Sequence, residues 1–107
     1  MGVDGARAAE RLMELGADVI GTNCGHLDGL RIGVREILRV ADRPVMVEPN
    51  AGLPTLEGTK TVFHGTPEQS AELARELLDL GVRLVGGCCG NTPEHIRAMA
   101  GAVAQYA

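Results

Sequence analysis

Cys24, Cys88 and Cys89 are the residues of this chain best suited to chemistry, and each stands in a glycine-bracketed motif, Gly21-Thr22-Asn23-Cys24-Gly25 or Gly86-Gly87-Cys88-Cys89-Gly90. Three cysteines cannot all pair within one chain, and two of these are adjacent. The set therefore suits a metal or a reactive thiol better than a secreted disulfide framework. Three thiolates at one concave rim would make an all-cysteine ligand set for zinc, a borderline-soft ion that favours tetrahedral coordination, with a fourth position open to substrate. Taken alone, the Cys88-Cys89 pair says little for zinc, since free cysteine is also a common small core residue and adjacent cysteines can form a strained disulfide. The flanking glycines favour a site, because glycine lets backbone and ligand approach closely at a strand end.

Whether the thiols meet depends on the elements that carry them. Residues 15–25 align without a gap on residues 80–90, an offset of 65, with Leu, Gly, Gly, Cys and Gly coinciding. Two βα units of roughly 30 residues each span such an offset, so Cys24 and Cys89 are expected just past the carboxyl ends of two parallel strands, on one rim. Apolar runs at Asp18–Gly21, Pro44–Glu48 and Arg83–Gly86 read as the strands. Helical stripes cover residues 5–15, Leu30 to Ala41, Ala71 to Leu78 and Ile96 to Val103, giving the order αβαβαβα. Thr66-Pro67-Glu68-Gln69 predicts a capping box, Thr92-Pro93-Glu94 repeats most of it, and Asp4 and Asp28 are expected to cap the first two helices. The middle strand runs into Glu48-Pro49-Asn50-Ala51-Gly52 on the rim where α/β proteins bind ligands. In a flat sheet, positions two strands apart are about 10 Å from each other. One metal therefore requires a curled sheet, as in a barrel.

Composition narrows the classes. The chain has 107 residues, 10 basic and 14 acidic side chains, a net charge of −4 and 45% hydrophobic residues. It can bury a core, so it is one α/β domain over residues 1–107, and its acidic balance argues against nucleic acid. No apolar run approaches the ~20 residues a membrane span needs, and the start lacks a basic-then-apolar leader. These features predict a cytoplasmic protein with no membrane partner. Gly86-Gly87 does not belong to a GxGxxG phosphate-binding pattern.

The Cys24 and Cys88-Cys89 motifs, the latter extended through Asn91-Thr92-Pro93-Glu94-His95-Ile96, together with Pro49-Asn50-Ala51-Gly52-Leu53-Pro54, closely resemble the homocysteine S-methyltransferase family. The resemblance runs through essentially the whole chain in order. It implies a (β/α)8 TIM barrel of which this chain is the C-terminal part, the three βα units equivalent to strands six to eight. It also implies a catalytic Zn2+ held by Cys24, Cys88 and Cys89, with homocysteine and a methyl donor as substrates and methionine as product. A free thiol, with pKa ~8.5, is mostly protonated at neutral pH. Zinc removes that proton, and three thiolates leave the site at −1, so a substrate sulfur stays electron-rich enough to attack an activated methyl group. Glu48 stands where related sequences often carry lysine, which reverses the charge at this rim.

Three strands cannot close a barrel that typically takes ~250 residues. The expected inner face, Val19, Val45, Val47, Leu84 or their neighbours, would be open to water. A complementary subunit with five βα units, or self-association through open edges, is the expected partner. The alternative reading is a non-catalytic zinc-binding partial barrel or a truncated product that serves only in assembly. Asn50 is the candidate substrate contact, against a plain turn role for Asn50-Ala51-Gly52. His26 is expected to be an exposed loop residue rather than a fourth ligand, His95 a helix-end contact, and His64 part of a polar loop over residues 55–66 that either covers the rim or projects from it.

Overall fold

The computed structural model describes residues 2–106. Its elements run α1 (Gly5–Glu14), β1 (Ile20–Asn23), α2 (Leu27–Val40), β2 (Val45–Glu48), β3 (Pro54–Glu57), β4 (Lys60–Phe63), α3 (Pro67–Leu80), β5 (Leu84–Val85) and α4 (Pro93–Tyr106). The sheet order is β1-β2-β5, parallel throughout, with Ile20 opposite Val45, Asn23 opposite Glu48, and Val47 opposite Val85. The expected αβαβαβα order is therefore present, with one addition. The stretch read as a polar loop folds into an antiparallel hairpin, β3 on β4, around the two-residue turn Gly58-Thr59. Gly58 takes the positive φ (64°) that such a turn requires. Six of its eight strand residues are exposed, so no buried face imposed the alternation by which a strand is recognised.

Helix starts follow side-chain chemistry. Asp4 caps α1 by accepting from Arg7 N at 2.8 Å, and Thr66 and Gln69 close a reciprocal capping box on α3. The expected cap of α2 is corrected: Asp28 lies inside the helix, and His26 Nδ1 accepts from the Asp28 amide at 3.3 Å instead. At the far end of α3, Gly81 takes the left-handed conformation that terminates a helix.

The helices cover one face of the sheet. Val34 and Ile37 of α2, and Leu73 and Leu77 of α3, pack on Ile20, Val45, Val47 and Val82. Side chains alternate across a strand, so Val45 and Val47 point into this core, at 2% and 0% exposure, and do not lie on the bare face expected for them. The other face presents Met46 and Leu84, at 37% and 39%, and Val19 just ahead of β1 is 42% exposed. A second cluster, Ala71, Ala74, Met99 and Ala102, joins α3 to α4. Among the described residues no helix is long and apolar enough to cross a membrane.

Candidate metal centre

All three parallel strands deliver their carboxyl ends to one rim. Past β1, the Cys24 amide donates to Glu48 O at 3.0 Å and so extends the β1-β2 ladder by one residue. Cys24 itself takes φ 61°, a left-handed conformation that costs a non-glycine residue about 1–2 kcal/mol. Past β5, the Cys88 amide donates to Pro49 O at 2.9 Å and the Ala51 amide to Cys89 O at 2.9 Å. The end of β2 and the loop after it thus serve as a template on which the two cysteine segments are laid from opposite sides. Asn91 locks the second of them: its Nδ2 donates to Pro49 O at 2.9 Å and to Cys88 O at 3.2 Å. That fold-back needs Gly87, where a Cβ would sit 2.6 Å from the Asn91 side chain.

Two strands apart, the cysteine thiols nevertheless converge. Cys24 Sγ lies 3.1 Å from Cys88 Sγ and 3.7 Å from Cys89 Sγ, and the Cys88 and Cys89 sulfurs are 4.0 Å apart. Among the described residues these three form the one group of histidine, cysteine and carboxylate side chains placed to hold a metal ion. The donor set fits zinc. Tetrahedral Zn–S bonds of about 2.3 Å place sulfurs about 3.8 Å apart, within the observed spread. All three cysteines are free thiols, Cys24 and Cys88 half-buried and Cys89 exposed.

Crowding of the sulfurs separates their acidities. Hydrogen bonding from Cys88 and then Cys89 holds Cys24 below the usual thiol range, while the same contacts, with Cys24 first, push Cys89 up to about 11. Asn23 adds an N–H donor, its Nδ2 lying 3.7 Å from Cys88 Sγ.

Asn50 stands at the centre. Its Oδ1 accepts from the Cys89 amide at 3.0 Å and from Cys24 Sγ at 3.2 Å, while its Nδ2 donates to Gly25 O at 3.3 Å. The carboxamide thus joins the two cysteine loops. Glu48 is half-buried at the same rim, its carboxylate folded over Gly86, where a Cβ would lie 3.2 Å from Oε2.

The histidines fall elsewhere. His26 is exposed and caps α2, as a loop residue rather than a member of the sulfur cluster. His64 bonds Thr55 Oγ1 at 2.6 Å and lies 3.3 Å from Glu57, all within the hairpin. His95 makes the expected helix-end contact, its Nδ1 accepting from the Thr92 amide at 3.1 Å, and it is also buried. A cleft of about 550 Å³ opens between α2, α3 and the hairpin and is lined by Asn50, Arg31, His64 and Glu76, but by none of the cysteines. Its cation is already engaged, since Glu76 holds Arg31 Nε and Nη2 at 3.0 and 3.1 Å.

Asn23 and Asn91 are contributions that the cysteine pattern did not single out. Both were visible as the residue before Cys24 and the residue two after Cys89, but amide side chains in loops carry no distinctive spacing.

Comparison with known proteins gives the family of the chain. The family model described as Homocysteine S-methyltransferase matches residues 1–103. The chain is similar to the methionine synthases of Mycobacterium leprae, 44% identical over 93 residues, and Mycobacterium tuberculosis, 46% identical over 92 residues. These matches take in 85% and 84% of this chain and 8% of each synthase, so the chain spans a small fraction of those relatives. In structure it resembles the homocysteine methyltransferase MmuM from Escherichia coli in its oxidised form, with a TM-score of 0.66 at 22% identity, over 92% of this chain and 32% of that one. That likeness shows the shared α/β fold. With a family match over nearly its whole length, the chain belongs to the homocysteine S-methyltransferase family.

Proposed function

We propose that residues 1–107 form the metal-bearing part of a homocysteine S-methyltransferase barrel, equivalent to its last three βα units, in which Cys24, Cys88 and Cys89 hold zinc. The observation that carries this reading is the convergence of three sulfurs, from loops two strands apart, to within 4.0 Å. Bound zinc would act as a Lewis acid that lowers the pKa of the homocysteine thiol, whose proton would pass to solvent, and the sulfur would bond the donor's methyl carbon as the bond from that carbon to the donor breaks and the demethylated donor leaves. The chain's own residues prepare that step. The β2 loop sets the separation of the cysteine segments, and Asn50 orients Cys24 and Cys89 and borders the place where the substrate sulfur arrives. Asn23 presents an N–H to Cys88 Sγ, which offsets negative charge accumulated on the sulfurs.

The remainder of the pocket belongs to the complement. Met46 and Leu84 form the inner face of an incomplete barrel, which five further βα units would cover. A second reading, a zinc-binding assembly module without catalysis, is favoured by the same three-stranded sheet. Activity separates the two.

Purified under reducing conditions, the chain is expected to hold close to one zinc, and Cys24→Ser, Cys88→Ser and Cys89→Ser each to weaken binding, because a hydroxyl is a harder and far less acidic ligand. A wild-type chain without zinc under conditions that retain it in related enzymes would overturn the metal reading. Alone, the chain should transfer little or no methyl to homocysteine from S-methylmethionine, betaine or a methylated corrinoid. Robust turnover by the isolated chain would refute the partial-barrel assignment. Turnover that appears only with the five-unit complement would exclude the non-catalytic module.

A further inference from the structure

His95 lies six residues beyond Cys89 and outside the sulfur cluster, yet its ring closes a circuit that returns to Cys89. Its two nitrogens have distinct roles. The Thr92 amide can only donate, so Nδ1, 3.1 Å away, must accept. The proton of the neutral ring is then on Nε2, which donates to Gly65 O at 2.7 Å. From there the bonds run through backbone alone: Gly65 N donates to Ala51 O at 2.8 Å, and Ala51 N donates to Cys89 O at 2.9 Å. The chain from Cys89 through Thr92 back to His95 completes the ring. Both His95 and Ala51 are buried, at 8% and 1% exposure, so water competes poorly for these bonds.

The contact between the two loops is too close for any side chain. A Cβ on Gly65 would meet Ala51 O and Gly52 N at 2.7 Å, and one on Gly52, at φ +75°, would meet Gly65 N at 2.8 Å. Such stacking of bare backbone is held by its hydrogen bonds, and His95 adds a side-chain bond to it at Gly65 O. A plain helix-end role would need only the Nδ1 contact to Thr92.

We infer that His95 is a positioning residue for the metal centre: through its Nε2–H bond to Gly65 it presses the Ala51 turn onto Cys89 and so sets where the Cys88-Cys89 segment stands relative to Cys24. This inference rests on the zinc reading above. Two conservative variants divide the ring's functions. In His95→Asn the amide occupies the Nδ1 position and keeps the Thr92 cap, but it cannot reach Gly65. In His95→Gln the terminal NH2 reaches about as far as Nε2 and keeps the Gly65 bond.

The test is zinc affinity by chelator competition on the 107-residue chain, with apo melting by circular dichroism alongside. Residues that orient metal ligands typically contribute 10–100-fold in affinity. The expected result is a loss of about tenfold in H95N, with H95Q within about threefold of wild type. H95N binding as tightly as wild type, or H95Q losing as much as H95N, would overturn the inference. If the wild-type chain binds no zinc, the metal reading fails and this inference with it. If wild type binds and the variants do not differ, only the inference fails. Amide hydrogen exchange on the wild-type chain tests the same path without a variant. Zinc should increase protection at Ala51 and Gly65 as well as Cys89 while leaving Leu56 to Thr61 unchanged. Unaltered exchange at Ala51 and Gly65 would likewise overturn it.

Discussion

Replacing Asn50 by alanine measures how much of the metal site is held together by one carboxamide. In the metal-free chain Asn50 makes three bonds, to the Cys89 amide, to Gly25 O and from Cys24 Sγ. The first two tie the cysteine loops to each other. A neutral hydrogen bond contributes about 1 kcal/mol net, so Asn50→Ala releases the loops at a cost of about 2 kcal/mol. Metal binding must then re-close them, which shifts that cost onto affinity. The third bond has the opposite sign. Cys24 gives up its S–H on binding a metal, so this weak bond stabilises the metal-free form only, and its removal returns about 0.5 kcal/mol. The net penalty of about 1.5 kcal/mol corresponds to roughly tenfold weaker binding. Chelator competition, with melting of the apo chain measured in parallel, checks this directly. A variant that binds zinc within about threefold of wild type would refute the claim that Asn50 organises the cysteines.

Two further outcomes follow from the same geometry. In the metal-free chain, iodoacetamide should label Cys24 at lower pH than Cys89, since Cys24 is held below the usual thiol range and Cys89 is raised to about 11. Only the thiolate reacts, so raising the pH should bring in Cys24 before Cys89. Peptide mass mapping showing Cys89 labelled first would contradict the assigned order. The second outcome concerns assembly. With Met46 and Leu84 exposed on the uncovered face and the outer edges of β1 and β5 open, the isolated chain should self-associate. A dilution-resistant monomer in light scattering, with a cooperative thermal transition, would show that the sheet needs no complement.

The fold and the site were legible in the sequence to different depths. Helix positions, the parallel strands and the capping box at Thr66 follow from periodicity and local side-chain chemistry, which act over a few residues and are written in consecutive positions. The repeat relating Cys24 to Cys89 placed both on one rim because equivalent βα units end at equivalent heights. Strand parity was less secure. Val45 and Val47 were expected on the open face but lie in the helix-covered core, because a uniformly apolar strand such as Val45-Met46-Val47 carries no polar residue to mark its outer side. The hairpin Pro54–Phe63 was missed for the converse reason, its strands being too exposed to alternate.

What the tertiary structure alone decided is the meeting of the sulfurs and the apparatus that holds them. Cys24 Sγ reaches within 3.1 Å of Cys88 Sγ because Glu48 O accepts from the Cys24 amide, because Pro49 O and the Ala51 amide bond the Cys88-Cys89 segment, and because Asn50 and Asn91 fold back onto them. None of these contacts joins residues at a recognisable spacing. They depend on where three strand ends stand in space, and that is set by the packing of the sheet against α2 and α3, whereas the residue types able to bind a soft metal are a property of the sequence itself.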